Sequence, residues 1–311
     1  MLFVDISYPL SQFPVTVPSL DRPKENPFIV TQYTSFRESN VLGRYFAVQL
    51  ARNLKKPQCS VHGFIVNELQ FKRANRPLEA AAVELCCLRP GQTVLEIGFG
   101  PGLGIGFAAE RVAPHTTQAL RNRSLWQRLF KAPPQFYNPE DGNAHVYGFD
   151  ISDYMLKKAK RLNRFFIGTG LVTLQLGSVH HLPLLAKSVD ACFHVNSFYF
   201  WPDLAYSLRQ IWRVLRPGGT VVTTFRPSAL KSAADRGWLR YGRADPIAYA
   251  LALENCGFTD VQWLKSVTLN QPVLPFDAIV ARKPSIHLLG DGRVAQFSPL
   301  WVLWMLKHSV R

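Results

Sequence analysis

Three glycines in alternation, Gly98, Gly100 and Gly102, end the apolar run Val94-Leu-Glu-Ile97. Glycine at such positions lets the backbone turn sharply and lets a ligand come close to the main chain. The Ala- and Gly-rich stretch from Leu103 to Val112 then reads as a helix whose first N–H groups face that ligand. A dinucleotide fingerprint started at Gly98 needs Gly or Ala at 103, and Leu103 stands there. What remains is E-x-G-x-G-x-G, from Glu96 to Gly102. A second acid, Asp150, ends the apolar stretch His145 to Phe149, where an open α/β sheet can bind the hydroxyls of a ribose. It lies 50 residues after Gly100, against a usual spacing of about 20. An inserted block of roughly 30 residues accounts for the difference.

Further polar and aromatic residues follow at the ends of later strands. Asn196, Ser197, Tyr199 and Trp201 come after the apolar run Val189 to Val195, where ligands of open α/β sheets bind. Tyr199 and Trp201 suit a box around an apolar or cationic substrate, and equally a packed core beside Pro202. Arg226 follows the strand Thr220 to Phe225 and could meet an anionic substrate. His180 and His181 face opposite ways on an extended segment, so they are read as closing the loop before Leu182, with a structural or adenine-side role. No spacing supports a metal site.

The elements that must position these residues alternate. Val94 to Ile97 lacks a polar face, as expected for a parallel strand covered on both sides. Strands are expected at His145 to Phe149, Leu171 to Leu176, Val189 to Val195, Thr220 to Phe225, Val261 to Val267 and Ala278 to Ala281. Helices are expected at Leu78 to Leu85, after Ser152 as N-cap, at Leu204 to Leu215, and at Ile247 to Cys256 closed by Gly257. Arg216-Pro-Gly-Gly219 is read as a tight turn. The expected fold is α/β: a Rossmann-like, doubly wound, seven-stranded and mainly parallel sheet with N-terminal helices, a surface insertion and a C-terminal helical tail.

Five landmarks stand in one order: the glycine loop, Asp150, Gly177-Ser178-Val179 with Leu182-Pro183, Ser188-Val189-Asp190, and Arg216-Pro-Gly-Gly219. With Phe276 to Lys283 they resemble class I S-adenosylmethionine (SAM)-dependent methyltransferases of the methyltransferase type 11 or ubiquinone/menaquinone-biosynthesis-like group, over about Leu78 to Lys283. The resemblance implies SAM as cofactor and methyl transfer as activity. Gly98, Phe99, Gly100 and Gly102 would pass under the methionine part, with Glu96 supporting the loop. Asp150 would hold the ribose, Ile151 would pack on adenine, and Ser178 and Val179 would face the adenine edge. The family usually has Asp where Ser178 stands; a hydroxyl still accepts the adenine amino group's hydrogen bond, but without charge. Asn196 would face the methionine end, with Ser197, Tyr199, Trp201 and Arg226 on the substrate side. The acceptor implied first is a small molecule or lipid-like compound, with nucleic acid as the alternative; a non-catalytic scaffold of the same fold and a nicotinamide-dependent oxidoreductase are the other classes weighed.

Composition bounds the rest. The chain has 311 residues, 47% of them hydrophobic, and a net charge of +15; that charge suits an anionic neighbour, such as nucleic acid or an acidic lipid surface, or a basic solvated surface. Five cysteines without a C-x-x-C pair suit reduced thiols and an intracellular, cytoplasmic setting. An extended arm is expected over 1–39, a methyltransferase domain over 40–282 with an insertion at about 114–143, and a tail over 283–311. The helices around 42–50 and 64–71 are read as a lid or as cover for the sheet edge. The tail's Leu300 to Leu306, with Trp301 and Trp304 near basic residues, is read as a docked helix or a peripheral anchor on an anionic membrane. The oligomeric state is left open.

Overall fold

The computed structural model describes residues 55–58, 75–122, 138–239, 242–267, 275–285, 287–288 and 294–295. The arm, the helices expected at 42–50 and 64–71, the centre of the insertion and the segment 296–311 lie outside the described residues.

Seven strands form one sheet in the order β3-β2-β1-β4-β5-β7-β6: β1 Thr93–Ile97, β2 His145–Asp150, β3 Val172–Leu176, β4 Val189–Val195, β5 Leu215–Phe225, β6 Thr259–Val267 and β7 Phe276–Arg282. The first five in that order are parallel, and β7 runs antiparallel to both β5 and β6. The expected mainly parallel, seven-stranded α/β sheet is therefore present. A two-residue pair, β8 His287–Leu288 and β9 Val294–Ala295, lies in the described part of the tail; the helix expected around 300–306 lies outside the described residues.

Successive strand residues supply two separate cores. Val94, Val146, Phe193 and Val195 pack on one face with helix α1 (Arg76–Leu85) and helix α2 (Leu103–Val112). Leu95, Ile97, Phe149 and Cys192 pack on the other. That second face is covered by α6 (Leu204–Val214) and α8 (Pro246–Asn255), with Leu208, Ile211, Tyr249 and Leu253 wholly buried. This is the physical reason the strands read as continuous apolar runs: period-two alternation puts both sets of side chains under helices. Between them, α3 (Pro114–Arg121), α4 (Asp153–Leu162), α5 (Arg164–Gly168) and α7 (Pro227–Asp235) complete the described helices of this part of the chain. The insertion's two ends are tied together by Asp141, whose carboxylate accepts from the N–H groups of His115 and Thr116 at 3.0 and 2.7 Å.

Arg216-Pro-Gly-Gly219 is not a turn ahead of a strand. Leu215 already pairs with Val189, and Thr220 pairs with Ala191, so these four residues form a bulge inside β5. The Gly218 N–H donates to the Lys283 carbonyl, and the Lys283 N–H to the Gly219 carbonyl, both at 2.8 Å, which keeps the bulge in the ladder. Arg216 Nη1 donates to the Asp190 carboxylate at 2.6 Å, and Asp190 Oδ2 also accepts from the Thr93 N–H at 2.8 Å, so the bulge is fastened to the start of β1. A Cβ on Gly219 would lie 2.8 Å from the Arg216 carbonyl oxygen and 2.9 Å from that of Asp190. Gly219→Ala is expected to destabilise the fold by about 1–3 kcal/mol, read as a lower urea midpoint with an unchanged slope; an unchanged midpoint would show that the bulge relaxes freely.

Candidate functional site

A cavity opens at the carboxyl ends of β1, β2 and β4, bounded also by the start of α1 and by residues 55 and 57. The three glycines serve it differently, although all lie at positive φ, +71°, +50° and +84° for Gly98, Gly100 and Gly102. A Cβ on Gly98 would lie 3.2 Å from Ser197 Cβ, whereas one on Gly100, which lines the cavity, meets none of the described residues within 4 Å. Gly102 does not line the cavity: it caps α2 and lies against α4, where Asn163 Nδ2 donates to its carbonyl at 2.9 Å. Phe99 also departs from its expected place. Its ring is wholly buried beneath the loop, because Gly148 of β2 leaves space for it.

Asp150 stands at the tip of β2. One carboxylate oxygen accepts from the Gly100 N–H at 2.9 Å and the other from the Ser152 N–H at 2.8 Å. Burial pushes its pKa up to about 6, against the pull of those backbone bonds. Ser152, the N-cap of α4, donates its own hydroxyl to the Pro57 carbonyl at 2.5 Å and accepts from the Met155 N–H. Ile151, Ser178 and Val179 line the same side of the cavity, and Ser178 Oγ accepts from the His180 N–H at 3.3 Å. His180 lines it too, with its ring edge-on to Tyr206.

Asn196 and Ser197 form the wall after β4. Asn196 takes a positive φ of 49° and donates to Asn75 Oδ1 at 3.0 Å, which joins this wall to the start of α1. Ser197 Oγ is 3.1 Å from His194 Nδ1, which also meets Thr223 Oγ1 at 3.1 Å; His194 Nε2 meets the Tyr249 hydroxyl at 2.7 Å. Burial drives His194 down to about 3. Its ring is therefore neutral near pH 7, donating on one side and accepting on the other, so it orients Ser197 and takes up no proton.

The remaining expected substrate-side residues separate. Trp201 lines the cavity beside Phe200 and Pro202. Tyr199 does not: like Phe198, to which its ring is edge-on, it is buried in the core, and of the short helical turn Phe198–Phe200 only Phe200 reaches the cavity. Arg226 does not line the cavity either; it is the N-cap residue of α7, and its carbonyl accepts from the Leu230 N–H.

Two residues of the wall have no counterpart in the sequence reading. Asn75 and Glu79 sit at the start of α1, and Glu79 lines the cavity while being only 5% exposed. Glu96, wholly buried on β1, lies behind Glu79 and has no place in the cavity wall. An acid in the first turn of a helix reads as complementing the helix dipole, so Glu79 carried no separate signal.

This is an open α/β protein with a cavity at the strand ends, bounded by a glycine loop and an acid on the neighbouring strand. Residues 133–223 match the family described as a methyltransferase domain. An uncharacterized methyltransferase, YdaC of Bacillus subtilis (strain 168), is 26% identical over 162 residues, 52% of this chain and 71% of that protein. The 24-methylenesterol C-methyltransferase 2 of Arabidopsis thaliana is 24% identical over 152 residues, 49% of this chain and 34% of its own length. A solved SAM-dependent methyltransferase from Aquifex aeolicus aligns with a TM-score of 0.46 and 16% identity, covering 68% of this chain and 94% of that one. These likenesses support a class I SAM-dependent methyltransferase, with SAM as the cofactor that such a protein uses.

The buried hydroxyl of Tyr249 gives a test of the wall's support. Tyr249→Phe leaves a His194 nitrogen unpaired and is expected to cost about 1–3 kcal/mol, measured by thermal or chemical unfolding; an unchanged stability would show that this ring nitrogen finds another partner.

Proposed function

We propose that the protein methylates a small-molecule, lipid-like acceptor, with SAM held by Gly98, Gly100, Asp150, Ile151, Ser178, Val179 and Asn196. The residues present fit that cofactor. Gly100 leaves open space above the loop among the described residues, and Asp150 takes backbone N–H groups from Gly100, Ser152 and Ile151, which leaves part of the carboxylate's acceptor capacity for a ribose hydroxyl. Ile151 and Val179 offer an apolar slot for a flat ring, and Ser178 an uncharged acceptor at its edge. The observation that carries the proposal is the Asp150 carboxylate bonded to the Gly100 N–H, because it brings the ribose acid and the open glycine to one point.

Bound SAM supplies a methyl group on a positively charged sulfur, so the leaving group needs no proton. What the chain must add is alignment of the acceptor and exclusion of water. Ser197, fixed by neutral His194, and Asn196, fixed by Asn75, form a rigid polar edge beside the methyl position. Phe200, Trp201 and Pro202 continue that edge as an apolar wall. Such a wall favours a hydrophobic acceptor, and the sterol methyltransferase among the relatives is in keeping with that chemistry.

Titration calorimetry with SAM tests the cofactor site. Asp150→Ala is expected to lose roughly 1.5–3 kcal/mol, about ten- to a hundredfold in affinity, whereas Ser178→Asp is expected to tighten binding by about 1 kcal/mol by restoring a charged acceptor. Equal affinity for the wild type and Asp150→Ala would contradict the assignment. Incubating the protein with methyl-labelled SAM and a cell extract tests the acceptor. Label is expected in the organic-soluble small molecules; label confined to nucleic acid or protein would overturn the lipid-like reading.

A further inference from the structure

An acid pair at the edge of the cavity is not used by the SAM site described above. Glu79 of α1 and Glu96 of β1 converge over the first turn of α2. A Cβ placed on Gly104 would lie 2.6 Å from Glu79 Oε2 and 2.7 and 2.8 Å from the two oxygens of Glu96. Only glycine at 104 lets two carboxyl groups approach so closely. These same three oxygens are buried with no well-formed hydrogen bond among the described residues; what lies near them is the other acid of the pair and, at Glu96, the Ile105 N–H. Glu79 is 5% exposed and Glu96 0%, yet Glu79 borders the cavity beside Asn75, Gly98 and Asn196. Unpaired carboxylate oxygens at this depth are costly unless a proton or a cation joins them.

We propose that Glu79, backed by Glu96, is the seat of the SAM α-ammonium group, and that the ammonium replaces a proton which the acid pair holds when the site is empty. The proposal rests on the SAM reading given above and adds to it a residue, Glu79, and a proton. The balance is simple. One ammonium enters with its positive charge, one proton leaves the Glu79 carboxyl for solvent, and the charge of the buried pair together with its guest is unchanged.

The surroundings agree. Burial pushes Glu79 up to about 8 and raises Glu96 well above the usual carboxylate range, with the two acids acting on each other. The titratable groups facing the pair are Asp150 from β2, Cys86 at the end of α1 and Cys192 from β4, and none brings a positive charge. On α1 and α2 the nearest cations are engaged elsewhere: Arg76 lies over the Phe107 ring, and Arg111 pairs with Glu84. On β7, Asp277 accepts from Trp263 Nε1 and Ser266 N–H, while Arg282 lies near Cys87 and Asp260. Lys55 lines the cavity at the segment whose Pro57 carbonyl accepts from Ser152. The N-terminus of α2 adds a favourable field for a carboxylate, but no counter-ion stands against these oxygens among the described residues.

The sign of the pH effect follows. A carboxyl held protonated in the empty protein and ionised in the complex makes SAM bind more tightly as pH rises, by about tenfold per unit below the free protein's value. The rise ends near pH 8, where the Glu79 proton is already lost. An α-amino group also begins to lose its charge near there.

Titration calorimetry of the full chain at pH 6.5 in two buffers of different ionisation enthalpy counts the protons released. SAM is expected to release close to one proton, and 5′-methylthioadenosine, which has the same nucleoside and no amino-acid part, to release none. Glu79→Gln is expected to remove the release, to flatten the pH dependence and to weaken SAM by about tenfold or more, with 5′-methylthioadenosine affinity unchanged. Should Glu79→Gln fail to fold, the comparison of the two ligands on the wild type decides. SAM binding without proton release, or equal release with both ligands, overturns the proposal while leaving the cofactor site standing. Absence of SAM binding overturns both.

Discussion

The Asp150 carboxylate is the point on which the site is built. It accepts one N–H from the glycine loop after β1 and one from Ser152 after β2, so a single side chain clasps the ends of two adjacent parallel strands. Parallel pairing alone sets the strands side by side, but it does not determine where the loops beyond them go. The clasp does, and it holds Gly100 at positive φ with no described residue within 4 Å of where its Cβ would stand. It is costly for the empty protein. Asp150 is a buried acid with a raised pKa, as are Glu79 and Glu96, so the native state holds more protons than the unfolded chain. Stability from these groups is therefore fullest below the ordinary carboxylate range and is lost as pH rises through about 6 for Asp150 and about 8 for Glu79. A site that concentrates buried acid in this way is arranged for a ligand with hydroxyl donors and a positive charge.

The second support is steric. The loop after β4 is set by His194, a neutral ring bonded to Ser197, Thr223 and Tyr249 within the core. Through Asn196 and Asn75 the same loop is joined to α1, which brings Glu79 to the cavity. The cavity wall after β4 is thus supported from both cores of the sheet. That rigidity is what an in-line displacement needs when geometry, not acid–base chemistry, supplies most of the rate.

How much of this was legible differs by element. The run Val189 to Val195 and the helix Leu103 to Val112 were readable to the residue, because apolar strands and a glycine-led helix carry strong local signals. Asp150 and the glycine loop were readable as a pair once the insertion was subtracted from their spacing. The bulge in β5 was not, because Pro and Gly signal a turn locally, while the ladder to Lys283 that absorbs them is distant in sequence. Tyr199 and Trp201 differ for a similar reason: two residues apart, they look equivalent on paper, and both are buried in the same core, yet only Trp201 also borders the cavity. Glu79 was hidden most thoroughly. Its partner is 17 positions away on another element, and only the packing of α1 over β1 and Gly104 reveals that two acids share one place.

The most direct measurement of the central claim is hydrogen exchange of the full chain with and without S-adenosylhomocysteine, resolved by peptide. If the Asp150 clasp organises a SAM site, the demethylated product is expected to slow exchange in 97–104, 150–153, 177–180 and 195–198 together, and to leave the centres of α6 and α8 unchanged. Protection confined to other segments, or none at the glycine loop and Asp150, would contradict the account.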